Sequence, residues 1–102
     1  TERRQWIEEG LERIAEKTGC AVKVRGRGLL IGWVLAPDWE GRAREIMKAA
    51  QAAGVFVLVA GPNVVRFAPS LVIPKEDIEE GLERLEQAVI GLAAESGTAA
   101  AR

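Results

Sequence analysis

The run Leu29-Leu-Ile-Gly-Trp-Val-Leu-Ala36 carries no polar or charged side chain at any position. Gly26-Arg-Gly28 precedes it and Pro37 follows it, so turn chemistry bounds it on both sides and it reads as a strand. Alternation points Leu29, Ile31, Trp33 and Leu35 one way and Leu30, Gly32, Val34 and Ala36 the other. A strand with a solvated face is polar at every second residue. This one is apolar on both faces and expects cover on both sides.

The segments around it supply part of that cover. Thr1 to Lys17 has a helical stripe of Ile7, Leu11 and Ile14 flanked by Trp6, with Glu, Arg and Lys elsewhere. Thr1 is placed to cap it and Gly19 to terminate it in the left-handed conformation. Gly10 costs about 1 kcal/mol inside a helix and is expected where a neighbour approaches closely. Ala21-Val-Lys-Val-Arg25 alternates as a short strand, leading into the glycine turn at Gly26-Arg27-Gly28. Asp38 reads as the N-cap of a second helix, Trp39 to Ala53, whose stripe is Ala43, Ile46, Met47, Ala50 and Ala53. Strands Val55–Val59 and Val64–Ala68 flank a turn at residues 60–63. A last helix runs from Lys75 to Ala94 on Ile78, Leu82, Leu85, Val89 and Leu92.

The order α-β-β-α-β-β-α predicts one α+β domain over residues 1–95, with a flexible tail at 96–102. We expect a small, mostly antiparallel four-stranded sheet with the fourth strand between the second and third. The helices then occupy one sheet face and leave the other apolar and uncovered.

Several function classes are excluded by what the chain lacks. Histidine is absent, which removes the commonest general base and most zinc sites. Cys20 is the only cysteine, so neither an internal disulfide nor a thiolate metal cluster can form, and it reads as a half-buried strand residue. Net charge is −1 with acids and bases mixed throughout, so no face is basic enough for nucleic acid, and Arg25-Gly-Arg27 reads as a hairpin turn. Arg25-Gly-Arg-Gly28 also lacks the third glycine and the helix of a dinucleotide-binding loop. Trp6, Trp33 and Trp39 are spread over two helices and a strand, as core or edge residues rather than a ligand platform. No signal peptide or membrane-spanning run is visible, so a cytoplasmic, non-membrane location is expected. The chain starts at Thr1 without methionine and enters a helix at once, as a trimmed, processed or designed polypeptide would.

Val24-Arg-Gly-Arg-Gly-Leu-Leu-Ile-Gly32 resembles the helix-then-hairpin signature of the ornithine-type (class III) pyridoxal-phosphate aminotransferases. The resemblance continues through Gly41-Arg-Ala-Arg44 and Ala53-Gly-Val-Phe-Val-Leu58. It is strongest at Ala60-Gly-Pro-Asn-Val-Val-Arg-Phe-Ala-Pro-Ser-Leu71 and ends in Glu76-Asp-Ile-Glu-Glu-Gly-Leu82. Roughly Ala21 to Gly91 is covered in order and spacing, and the acetylornithine and succinylornithine aminotransferases look closest.

The resemblance implies the small C-terminal domain of such an enzyme, which closes the active site against a large cofactor-binding domain. It also implies that Arg66, the arginine of the Arg-Phe-Ala-Pro motif, binds the substrate α-carboxylate. A planar guanidinium grips a carboxylate bidentately, which suits that role. Alternation agrees, because Val65 and Phe67 share the other face. Without the motif, Arg66 would read as an ordinary exposed strand charge.

Transamination needs a lysine for pyridoxal phosphate, an acid at the pyridine nitrogen and a phosphate cradle. In the family these lie upstream, in the large domain. Lys17, Lys23, Lys48 and Lys75 match no cofactor-lysine motif and read as surface charges. The chain alone is therefore expected to hold no cofactor or metal and to catalyse nothing. Its partner would be the parent large domain, or a second copy through the exposed sheet face. A standalone or designed binding module remains the alternative.

Overall fold

The computed structural model describes residues 2–28, 30–55, 57–68 and 74–96. The expected cap at Thr1, the link at 70–73 and all of the expected 96–102 tail but Ser96 lie outside the described residues; Ser96 belongs to the last helix.

Helix α1 spans Glu2–Thr18, followed by strands β1 (Ala21–Arg27) and β2 (Leu30–Leu35) and a 3-10 turn at Pro37–Trp39. Helix α2 (Ala43–Ala52), strands β3 (Leu58–Val59) and β4 (Val64–Phe67), and helix α3 (Lys75–Ser96) complete the order. The sheet order is β1-β2-β4-β3 and every pairing is antiparallel. This is the expected α+β arrangement with the fourth strand inserted between the second and third.

One sheet face and the helices make the core. Ile31, Trp33 and Leu35 of β2 and Val65 of β4 are buried with Leu11 and Ile14 of α1, Ile46 and Ala50 of α2, and Leu85 and Val89 of α3. Each large aliphatic buried there contributes about 1.5–3 kcal/mol. Trp33 meets Phe67 edge to face with ring centroids 6.1 Å apart. Its indole N–H is buried without a hydrogen bond among the described residues. Trp39 is fully buried and lies under the Arg42 guanidinium, 4.3 Å from the ring centroid. Trp6 is half-buried, with the Lys75 ammonium 5.3 Å from its centroid. The three tryptophans are thus packing residues, two central and one peripheral.

Gly10 is where α1 and α3 meet. A Cβ there would reach the Leu82 Cδ1, with Cδ2 at 2.9 Å and Cγ at 3.0 Å. The mid-helix glycine therefore serves a close approach. Gly19, at φ +72°, ends α1 by donating its N–H to the Ala15 carbonyl at 2.7 Å.

Four local expectations need correction. The β1 strand runs through Gly26 to Arg27, with Gly26 paired to Ile31 and Arg27 to Leu30, so the reversal falls after Arg27 rather than at Gly26. Asp38 does not cap α2. It belongs to the 3-10 turn, and Gly41 at φ +81° redirects the chain before the helix begins at Ala43. The Asn63 side chain accepts the Gly41 N–H at 2.6 Å and the Pro62 carbonyl accepts the Ala43 N–H at 3.1 Å, so the β3–β4 turn takes two donors at the entry to α2, the first of them the one an Asp38 cap would have reached. The third strand is reduced to Leu58–Val59 because the Val55 N–H is drawn back to the Ala50 carbonyl at 2.8 Å, closing α2. Cys20 precedes β1 and is fully buried, not half-buried within a strand.

The face of the sheet turned away from the helices is open, as expected, but it is not purely apolar. Leu30 is 65% exposed and Leu58 47%, and they share that face with exposed Lys23, Arg25 and Arg66.

Candidate functional site

Strand β4 places Arg66. Val65 is buried and Phe67 packs against the core, so pleating turns the residue between them outward. Arg66 is exposed on the open face as the alternation predicts. Its partners across the ladder are Gly32 of β2 on one side and Leu58 of β3 on the other. On the far side of β2, Gly32 is paired with Arg25 of β1. The row across the sheet is therefore Arg25, Gly32, Arg66, Leu58.

Gly32 leaves the middle of this row without a side chain. The Arg25 stem leans into the space: its Cγ lies 3.4 Å, and its Nε 3.7 Å, from where a Gly32 Cβ would sit. The Val64 Cγ1 borders the same point at 3.4 Å. Neither Arg25 nor Arg66 has a hydrogen bond or ion pair among the described residues. Arg4, Arg42 and Arg84, by contrast, each hold a glutamate at 3.2, 3.0 and 2.5 Å. An exposed guanidinium with no hydrogen bond or ion pair among the described residues, beside a glycine, can take a planar oxyanion side-on.

Other chemistry-bearing residues are accounted for elsewhere. Burial pushes the Cys20 thiol up from its ordinary 9.0 to about 11, against a smaller opposing effect of the Thr18 hydroxyl, so the reactive thiolate is disfavoured. No group of three His, Cys, Asp or Glu side chains among the described residues could hold a metal. Lys17 pairs with Glu86 at 2.8 Å, Lys75 lies over Trp6, and Lys23 and Lys48 are exposed. An apolar cavity of about 330 Å³ opens between α1, α3 and the end of β4, lined by Ile7, Val55, Phe67, Ile78 and Leu85 among others. No lysine lines it, and it lies on the helix side of the sheet, away from Arg66. These residues do not fit pyridoxal phosphate, and no step through that cofactor is assigned to them. Among the described residues, no helix is long and apolar enough to cross a membrane.

The exposed placement of Arg66 follows from the alternation of its strand, whereas the pattern around Arg25 gives no sign that it lies one strand beyond Gly32. The hairpin register makes them neighbours: counting outward from a reversal after Arg27 pairs 27 with 30 and hence 25 with 32. A turn placed at residues 26–28 hides that relation.

Comparison with known proteins identifies the family. A sequence profile of the aminotransferase class-III family matches residues 1–89. The acetylornithine aminotransferase of Vibrio vulnificus (strain YJ016) is 52% identical over 91 residues, covering 89% of this chain and 23% of the relative. The succinylornithine transaminase of Yersinia enterocolitica is 50% identical over 88 residues, covering 86% of this chain and 21% of the relative. Among solved structures, the N-acetylornithine aminotransferase from Stenotrophomonas maltophilia K279a superposes with a TM-score of 0.89 at 42% identity, covering 91% of this chain and 26% of that one. The chain thus spans less than a quarter of the length of the curated relatives it matches.

Proposed function

The chain belongs to the aminotransferase class-III family, and we propose that it serves as the small, substrate-side domain of an acetylornithine/succinylornithine-type aminotransferase. The observation that carries this reading is Arg66, exposed on the open sheet face, opposite a glycine, with no acidic partner among the described residues. Its fork would hold the substrate α-carboxylate through two parallel N–H···O bonds and orient the amino group. The strand supplies rigidity, because Val65 and Phe67 on either side are held by the core.

The uncovered face is the natural seat for the remainder of such an enzyme. Leu30 and Leu58 supply apolar area, and Lys23, Arg25 and Arg66 favour a surface or ligand of negative charge. On this reading the chain by itself holds no cofactor and turns nothing over, since a carboxylate clamp supplies no electrophile.

Grafting tests the assignment. Residues matching the Vibrio vulnificus relative are put in place of its own segment, and transamination of acetylornithine is followed. Turnover by the graft, with none by the 102-residue chain given pyridoxal phosphate, supports the proposal. A folded, cofactor-loaded graft without turnover refutes it, as does turnover by the chain alone.

A further inference from the structure

We propose that Arg25 is a second anion-binding residue, closing with Arg66 on one carboxylate above Gly32. The inference rests on the reading of Arg66 as a carboxylate clamp, and extends that clamp across β2 to a residue whose sequence context marks it only as hairpin.

Three observations converge. First, register: Gly32 is paired with Arg25 on one side and with Arg66 on the other, so both point to the open face. Adjacent strands lie about 4.8 Å apart, which puts the two backbones about 10 Å from each other, within reach of two arginine side chains around one small anion. Second, direction: the Arg25 Cγ and Nε lie 3.4 and 3.7 Å from the Gly32 Cβ position, so the side chain crosses towards β4 instead of extending into solvent. Third, vacancy of partners: neither guanidinium is engaged by a carboxylate among the described residues, and exposed Lys23 nearby adds to the positive field.

Gly32 has a specific part in this. Any side chain there would stand between the arginines. Even an alanine Cβ would press on the Arg25 Cγ and the Val64 Cγ1, both at 3.4 Å. The glycine floor lets the Arg25 stem lie flat and lets a planar oxyanion sit low between two forks. A second fork restricts the anion's rotation about the Arg66 axis, which a single guanidinium does not. Arg25 would thereby fix the orientation of the bound molecule as well as its affinity.

The test uses the 102-residue chain, labelled so that arginine Nε–Hε signals are resolved by NMR. Sodium acetate is titrated in, with ionic strength held constant by sodium chloride. The Arg25 and Arg66 signals are expected to move together with one midpoint. Arg25→Gln should raise the Arg66 midpoint about fivefold, the scale of losing one exposed charge-assisted contact. Gly32→Ala, which keeps both charges, should raise it in the same direction. Arg25→Lys, which keeps the charge but not the fork, should restore only part of the loss. Backbone amide dispersion reports whether each variant is folded. An Arg66 midpoint unchanged in both Arg25→Gln and Gly32→Ala overturns the role of Arg25 while leaving that of Arg66 intact. Full recovery in Arg25→Lys also overturns it, since a field effect would then suffice. Two arginine signals that both stay still refute the clamp itself.

Discussion

Arg66 stands directly across the β2–β4 ladder from Gly32, so the exposed guanidinium borders the one position of β2 that contributes no side chain. The same glycine lies beneath the Arg25 stem. If this face binds an anion as proposed, a side chain added at Gly32 should be felt without changing either arginine.

Gly10 gives the most direct packing test. Gly10→Ala gains about 1 kcal/mol of helix propensity. The new methyl would collide with Leu82, which must move, and overpacking of this kind costs about 1–3 kcal/mol. We expect a net loss of about 1 kcal/mol in urea unfolding. In a Leu82→Ala background the same change should instead stabilise by about 1 kcal/mol. Equal effects in both backgrounds would show that α1 and α3 do not meet there.

Gly26 is constrained by backbone rather than by a neighbouring side chain. It sits at φ +109°, and a Cβ would run into the Leu30 carbonyl oxygen. Gly26→Ala should cost about 2–4 kcal/mol, more than Gly28→Ala, whose φ is +56° with nothing within contact distance. Chemical denaturation of the two variants side by side reads the difference.

Cys20 sets an alkaline limit. Its thiol is raised from 9.0 to about 11 by burial, so the folded state disfavours the thiolate. A group raised on folding contributes stability that is fully present below its unfolded value and lost as pH climbs to the folded one. Unfolding free energy should therefore fall by about 2–3 kcal/mol between pH 9 and 11. Cys20→Ala should lack that part of the slope. Identical pH profiles for the two proteins would place the thiol in contact with water.

The open sheet face predicts weak association of the isolated chain. Leu30 and Leu58 favour burial, whereas Lys23, Arg25 and Arg66 on two copies repel each other. Salt screens the repulsion, so the apparent mass in sedimentation equilibrium should rise with concentration, and more steeply in about 0.5 M sodium chloride. Leu30→Asp with Leu58→Lys should remain monomeric. A monomeric parent chain under both conditions would show that the exposed leucines are too sparse to drive contact.

Much of this architecture can be read from pattern alone. The stripes on α1, α2 and α3 and the alternation in β2 and β4 are local properties, and the buried residues follow them closely: Leu11, Ile46, Leu85, Trp33 and Val65 all lie inside. What escapes a linear reading is long-range. Asp38 has the chemistry of a cap, but Asn63, 22 residues away, takes the donor at Gly41. Val55 belongs to an apolar run that reads as strand, yet its N–H closes α2. Arg25 looks like a turn charge until the register pairs it with Gly32. Arg66 is singled out only by the resemblance at its Arg-Phe-Ala-Pro motif, and alternation adds the side of the sheet it faces; its neighbour across the sheet needs the fold.

The central claim concerns one side chain in its parent setting. In the graft carrying this chain on the Vibrio vulnificus relative, kcat/KM for acetylornithine should fall about 100-fold or more in Arg66→Gln, with cofactor absorbance retained. Arg66→Lys, lacking the bidentate fork, should recover little of that loss. A graft whose kcat/KM is unmoved by Arg66→Gln would contradict the account, because the exposed arginine would then touch nothing the reaction needs.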